Sequence, residues 1–397
     1  MKKSSKETEA IIEELKKYQR IIELSTDYTK TDPLLNDGID SAQEIVAMDQ
    51  TCFIEEIAPK AGINTKDAID IFRKAKATMN LRQGSMTYRE SEREKVVRIR
   101  DDFFNDPGDG IYKKQKRPFV LIDPEKNLWY KIRKDAQTYF KANKIVWWPG
   151  SSDVTGHLLS SQVSCVNHLF FLRNDKDAAL KILQGLNPGF IDVCKDFEDG
   201  YIGFEVVSNE SYLGEIDAGK KQIRGANCTA VDAMMTGILN NGKKVQILIE
   251  WKYTEYYPKN CLADGSSGNT RKARYNPLIQ NPLSPIKCTA NLDNLYFEPF
   301  YQIMRQTLLA WKMVENKKDE LNADDWLHFD VIPENNLNLR YQVQTPDLLQ
   351  TSVEEAWKSQ LKEPYKYNVI TPQKLLKPVL LEPRNRSMIN YLNYRYW

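Results

Sequence analysis

The chain has 397 residues, of which 41% are hydrophobic and 28% charged, and its net charge is only +2. That length points to more than one domain, and that composition supports a folded core and excludes wholesale disorder. So small a net charge excludes a polycation, and any nucleic-acid surface must come from local clustering of Lys and Arg.

The six cysteines, Cys52, Cys165, Cys194, Cys228, Cys261 and Cys288, form no CxxC pair. Neither a zinc ribbon nor a thioredoxin-like site is indicated, and free thiols in a reducing compartment are expected. The opening MKKSSKETEAIIEELKKYQR lacks an apolar run of signal-peptide length. No stretch approaches the roughly 20 apolar residues that span a bilayer, so a cytoplasmic protein without a membrane partner is expected.

In chain order, Ile11, Ile12, Leu15, Tyr18, Ile21 and Ile22 mark one face of a first helix. After the polar break TDYTKTDPLLNDG, residues 41–79 again read as helical. Within them FIEEIAPKAGINTKDAIDIFRKA has the layout of a helix-turn-helix. Gly62 suits the turn, where left-handed backbone is cheap only for glycine. Ala58 stands four before Gly62 and Ile63 follows it; Asn64 or Thr65 caps the second helix, and Ala68 and Ile71 supply its packing positions. Pro59 departs from the pattern, since it falls where the first helix should run on. Two packed helices that read no DNA are the alternative.

Residues 1–84 therefore read as a helical region and 85–149 as a mixed accessory region. In the latter REKVVRIRDDFF is helical, NDPGDG a turn, RPFVLID and LWYKI short strands, and KKQKR at 113–117 a basic loop. From Thr155, GHLLSSQVSCVNHLFFLR sets Leu158, Leu159, Val163, Val166, Leu169 and Phe170 on one helical face, and KDAALKILQGL is a shorter helix. YIGFEVV, CTAVDAMMTGI and KKVQILIEWKYTE read as strands. Residues 256–287 read as a long polar loop rich in Pro and Gly. YFEPFYQIMRQTLLAWKMVE is an amphipathic helix and DWLHFDVI a further strand. Residues 150–345 form the core by this reading, and 346–397 a C-terminal extension.

VQILIEWKYTE carries the main anomaly. VQILI is apolar on both faces, as in a strand buried on both sides, yet Glu250 and Lys252 follow on one shared face. A buried ion pair costs more than it returns unless it has a task; an exposed cross-face pair is the alternative. Asp232 stands in the preceding strand. Asp, then Glu-x-Lys, on adjoining strands suits a metal-dependent phosphodiesterase, in which two carboxylates hold Mg²⁺ or Mn²⁺ and a lysine orients water or offsets negative charge. A two-residue Asn241-Gly242 turn would set Asp232 opposite Trp251. A three-residue loop, Asn240-Asn241-Gly242, or a bulge such as one at Gly237, sets it opposite Glu250. Glu205 interrupts YIGFEVV, as a further metal ligand or as a solvent-facing carboxylate. Strand parity puts Glu255 on the face opposite Glu250, in a structural role. His157, His168 and His328 have no metal-ligand spacing; His157, at the start of the core helix, touches phosphate or serves in capping or packing. No GxxxxGK[ST] loop appears, which argues against a nucleotide-driven motor.

Asp232 followed by Glu250-Trp251-Lys252, inside a helix–strand–strand–strand–helix–strand order, resembles the PD-(D/E)xK nuclease superfamily over about residues 145–345. SSQVSCVNHLFF, IEWKYTEYY and EPFYQIMRQTLLAW resemble a bacterial branch of it. The resemblance implies a restriction-endonuclease-like α/β core, α-β-β-β-α-β, with a mixed central sheet flanked by helices. It implies Asp232 and Glu250 as metal ligands and Lys252 as catalytic. Val231 stands where the family motif has Pro. Relatives place a polar or acidic residue on the first core helix facing the site, which maps to Gln162. Gln302 or Arg305, after EPFY, would reach the metal site or a phosphate, unless the two are a helix-surface pair. The implied activity is Mg²⁺-dependent (or Mn²⁺-dependent) hydrolysis of phosphodiester bonds in DNA, in restriction or phage defence. Lys259, Arg271, Lys272 and Arg274 would grip the backbone, unless their loop is a solvated insertion. RNA stays open as a substrate, and a homodimer is allowed. The other readings are a nuclease subunit of a larger complex and a catalytically silent nucleic-acid-binding protein; the presence of all three motif residues opposes the last.

Overall fold

Apolar spacing in the first eighty residues builds helices, and the β-branched runs after Gly200 build a sheet. The computed structural model describes residues 5–25, 27–48, 50–82, 87–216, 222, 228–287, 291–341, 343, 345, 347–348 and 352–397. Two compact units divide the chain: Met1–Tyr88 with Leu337–Val343 and Leu348–Ala356, and Arg89–Asn336 with Gln344–Asp347 and Trp357–Trp397.

In the first unit, α1 (Ser5–Ser25), α2 (Tyr28–Asn36), α3 (Ala42–Ala47) and α4 (Thr65–Arg82) surround one core. Ile21, Leu34, Ile45, Phe53, Ile63, Ile71 and Phe72 are buried in it. Side-chain caps start the helices: Asp27 accepts from Thr29 N and Ser41 from Glu44 N. The turn before α4 has Gly62 at φ +68°, and Ile63 N donates to Ala58 O at 2.8 Å. Asn64 Oδ1 accepts from Asp67 N at 3.0 Å and so caps α4. Pro59 is tolerated because it lies in the first turn of the short segment Ala58–Lys60, after the π-helical stretch Phe53–Ile57.

The second unit begins with α5 (Tyr88–Phe104) and a hairpin of β1 (Gly110–Tyr112) and β2 (Gln115–Arg117). RPFVLID and LWYKI are not strands. Beyond Arg117 they pair only through an isolated bridge, Val120 with His157. Next come α6 (Arg133–Ala142), α7 (Ser161–Leu169) and α8 (Lys176–Leu186). Leu158 and Leu159 precede α7, because Ser160 caps it by accepting from Val163 N.

The sheet has six strands: β3 (Phe190–Val193), β4 (Ile202–Val206), β5 (Val231–Leu239), β6 (Lys244–Trp251), β7 (Asp325–Val331) and β8 (Tyr367–Ile370). The order is β3-β5-β6-β7-β8, with β4 also paired to β5. Pairing is antiparallel from β3 and β4 through β6, and parallel from β6 to β8. This mixed sheet flanked by helices, with a helical N-terminal region, is the expected fold class. Strands β3 and β8 are too short to be legible in the sequence.

The segment read as a long loop contains a fifteen-residue helix, α9 (Gly265–Ile279). Pro277 lies in its last turn, where the one backbone hydrogen bond it forgoes falls near the helix end, and Tyr275 and Ile279 bury one side. Helix α10 (Phe300–Glu315) covers one face of the sheet, where Gln246 Nε2 donates to Ala310 O at 3.0 Å. Helix α7 lies on the other, where Trp251 Nε1 donates to Ser164 Oγ at 3.1 Å. The chain ends on α11 (Arg386–Arg395). No helix among the described residues is long and apolar enough to cross a membrane. None of the five described cysteines is in a disulfide, and Cys288 lies outside the described residues.

Candidate active site

The β5–β6 hairpin sets the geometry. Its register runs from Ala233↔Ile249 to Ile238↔Lys244. Leu239 N donates to Lys243 O at 2.9 Å, which leaves Asn240, Asn241 and Gly242 as a three-residue loop. Gly242 closes it at φ +82°, the left-handed position where such loops need glycine. Continued by one residue, this register sets Asp232 across from Glu250. There Asp232 Oδ2 accepts from Trp251 N at 2.7 Å and replaces the next rung of the ladder.

Strand alternation then sorts the side chains. Trp251 turns to α7, where its ring centroid lies 4.6 Å from that of His168. Glu250 and Lys252 turn to α10 and are 3% and 4% exposed. Lys252 Nζ lies 2.7 Å from Glu250 Oε1 and donates to Gln302 Oε1 at 2.5 Å. Gln302 Nε2 donates in turn to Glu250 Oε1 at 2.7 Å, and Gln306 Nε2 donates to Glu250 Oε2. Two glutamines one turn apart on α10 therefore hold the carboxylate.

Glu205 sits on β4 across from Asp232 by the same register arithmetic, with its neighbours paired as Phe204↔Ala233 and Val206↔Val231. Its φ of +49° is a sparsely populated conformation for glutamate, of the kind that persists where the surroundings demand it. Gln162, at the start of α7, donates from Nε2 to Glu205 Oε1 at 2.7 Å and accepts from Trp148 N at 2.8 Å.

The electrostatics follow from three carboxylates lining one cavity. Burial, then the charge of Glu250, raises the Glu205 carboxyl to about 7 despite the Gln162 hydrogen bond. Burial, then the charges of Glu250 and Glu205, hold Asp232 well above the carboxylate range. For Lys252 burial works against the ammonium, but the Glu250 carboxylate and its acidic neighbours outweigh it and hold the pKa well above the usual lysine value.

Asp232, Glu250, Lys252, Glu205, Gln162 and Gln302 all line one open cavity of about 670 Å³. Among the described residues no three His, Cys, Asp or Glu side chains stand close enough together to cage a metal ion. The donors nevertheless fit a hard cation of the Mg²⁺ kind. Such an ion needs only one or two carboxylates and keeps several waters.

Other expected residues lie elsewhere. Arg305 turns away from the cavity and pairs with Glu215 at 3.1 Å and Thr229 at 3.0 Å. The basic group of 256–287 does not line the cavity. Arg271 bonds Leu262 O, Lys272 pairs with Asp293, and Arg274 lies over the Tyr275 ring. Lys259 is exposed. Glu255 corrects the parity argument: β6 ends at Trp251, the chain turns, and Glu255 lines the cavity, accepting from Ser161 Oγ and Tyr253 N. His157 is a buried wall of the cavity whose pKa burial lowers to about 4. His168 is buried behind Trp251, accepting from Trp397 Nε1 at 3.2 Å, and His328 lies 3.3 Å from Asp330. Gln306 escaped the sequence reading, although its spacing of four from Gln302 on one helix face was the available signal.

A mixed sheet that gathers carboxylates and a lysine at the ends of adjoining strands has the restriction-endonuclease-like architecture. Residues 94–397 match the family described as restriction endonuclease associating with ARP, and the chain belongs to that family. No curated protein and no solved structure matches the chain.

Proposed function

We propose that the chain is a divalent-cation-dependent nuclease that hydrolyses phosphodiester bonds in DNA, with Asp232, Glu250 and Lys252 as its catalytic residues. The observation that carries this reading is the convergence of these three groups, with Glu205, on one open cavity. Asp232 and Glu250 would hold the cation, with Glu205 beside them. When bound, Mg²⁺ or Mn²⁺ would neutralise charge on the phosphate and lower the pKa of water. Lys252, kept protonated by Glu250 and aimed by Gln302, serves as a fixed positive charge for the negative charge that develops on the phosphate. Gln302 and Gln306 orient Glu250, and Gln162 orients Glu205. Asp232 and Glu205, whose carboxyls burial and neighbouring charge raise, would have to be ionised to hold a cation, so affinity should rise with pH.

The test is incubation of the purified chain with supercoiled plasmid and short RNAs in Mg²⁺, Mn²⁺, Ca²⁺ or EDTA. Cleavage in Mg²⁺ or Mn²⁺, little turnover in Ca²⁺ and none in EDTA are expected. Full activity in EDTA would sink the reading. A second reading, a nuclease component that acts with a partner in restriction or phage defence, is favoured by the family's description as associating with ARP. A chain inert on plain plasmid that still binds Mg²⁺ at Asp232 and Glu250 would favour it.

A further inference from the structure

Trp148 is 42% exposed and lines the same cavity as Asp232 and Glu250. A large, rigid aromatic ring exposed in a cavity beside carboxylates offers a flat apolar face to a ligand. Its position is fixed from two sides. One amide, Gln162, bonds both the Trp148 backbone N–H and Glu205, and so ties the indole to the carboxylates. Behind the indole, Tyr112 stacks at 5.5 Å with an interplanar angle of 30°, and His157 meets it edge-on at 5.2 Å. Tyr112 in turn meets His157 edge-on at 4.8 Å. The result is a packed aromatic wall with the Trp148 ring open to solvent.

Positive charge adjoins that wall. Tyr112 ends β1, and the next two residues, Lys113 and Lys114, form the hairpin turn at φ 49° and 63°. Two positive φ values in a two-residue turn favour Asn and Gly, so lysines there carry strain. Both are exposed, and neither pairs with a carboxylate among the described residues. Arg89 is exposed and lines the cavity.

We infer that Trp148 is a stacking platform for an unpaired nucleobase. The cavity then takes nucleic acid that is locally single-stranded, its phosphates drawn in by Arg89, Lys113 and Lys114. An indole at this place can receive a base only when that base has left a duplex stack. Every base has a π-face, so the platform selects strandedness and not sequence. The cleavage that follows rests on the nuclease reading above; the binding does not.

The test is anisotropy of short fluorescent oligonucleotides bound to the full chain in EDTA, as single-stranded DNA, single-stranded RNA and duplex of one sequence. Tighter binding of a single strand than of the duplex is expected, and the two single-strand arms identify the sugar. Trp148→Ala should weaken single-strand binding roughly 5- to 100-fold, and Trp148→Phe should retain most of it. The double change Lys113→Gln with Lys114→Gln should flatten the log–log salt dependence by roughly 0.7 for each phosphate that is no longer neutralised. Equal or tighter binding of duplex, or Trp148→Ala binding like wild type, would overturn the inference. If Trp148→Ala does not fold, the wild-type strand preference and the lysine variant, both readable without it, decide the matter. A chain that binds single strands through Trp148 yet cuts nothing in Mg²⁺ counts against a nuclease that acts alone and leaves this inference standing. One that cuts duplex through Asp232 and ignores Trp148 refutes this inference alone.

Discussion

The two units of the chain treat charge in opposite ways. The first has an apolar core, with one buried ammonium, Lys74, and surface pairs such as Lys30 and Asp67, which lie 2.6 Å apart with 26% and 31% of their side chains exposed. The second puts Glu250 and Lys252 at the end of its central strand, 3% and 4% exposed, with Glu205 at 9%. Buried ion pairs are poor stabilisers, and neighbouring carboxylates repel. The second unit therefore keeps groups that its own stability disfavours, each held by an amide: Gln162 for Glu205, Gln302 and Gln306 for Glu250. Where a fold accepts that cost, chemistry is the physical reason on offer.

The contrast can be broken most directly at the site. Asp232→Asn and Lys252→Ala should each lower cleavage by roughly 10³-fold or more, since cooperating groups fail together. Circular dichroism should show an intact fold in both. Wild-type rates in either purified variant would remove the site as drawn.

In the first unit the large effect should be on stability instead. Phe53→Ala, in a fully buried position, should destabilise that unit by about 3–5 kcal/mol. Mg²⁺ binding measured by calorimetry should persist. Loss of cation binding in a variant whose second unit stays folded would contradict the division of labour.

A third effect is pH dependence. A carboxyl raised from 4.5 to about 7 binds its proton more tightly in the folded state. Its contribution to stability is full below pH 4.5 and is lost as pH rises through about 7, by about 3 kcal/mol. His157 and His168, lowered by burial to about 4 and about 3, act in the other direction, and stability gained from them rises up to their ordinary value of 6.5. The comparison of wild type with Glu205→Gln in urea unfolding, in EDTA from pH 5 to pH 8, isolates the carboxyl. Wild type should lose ground to the variant as pH rises, and Mg²⁺ should restore it most at pH 8. Parallel curves would show that Glu205 is not raised. The smallest effect belongs to the surface: Lys30→Ala should cost less than about 1 kcal/mol in the same assay.

The amino-acid sequence by itself determined the helices and the longer strands through their apolar period. The three-residue loop at Gly242 was legible because only an odd count brings Asp232 across from Glu250. Glu250 and Lys252 stood out as charges next to an apolar run. Tertiary structure decided what periodicity cannot carry. Strand parity stops where the strand stops, so Glu255 turned out to line the cavity after the chain bends beyond Trp251. Helix α9 formed in a Gly- and Pro-rich stretch because Tyr275 and Ile279 had a core to enter and Gly268 could approach the Ala263 backbone. Arg305 found Glu215, ninety residues away, and left the cavity to Gln302 and Gln306. Such partners are chosen by packing between elements distant in the chain, and spacing along a single element holds no record of them.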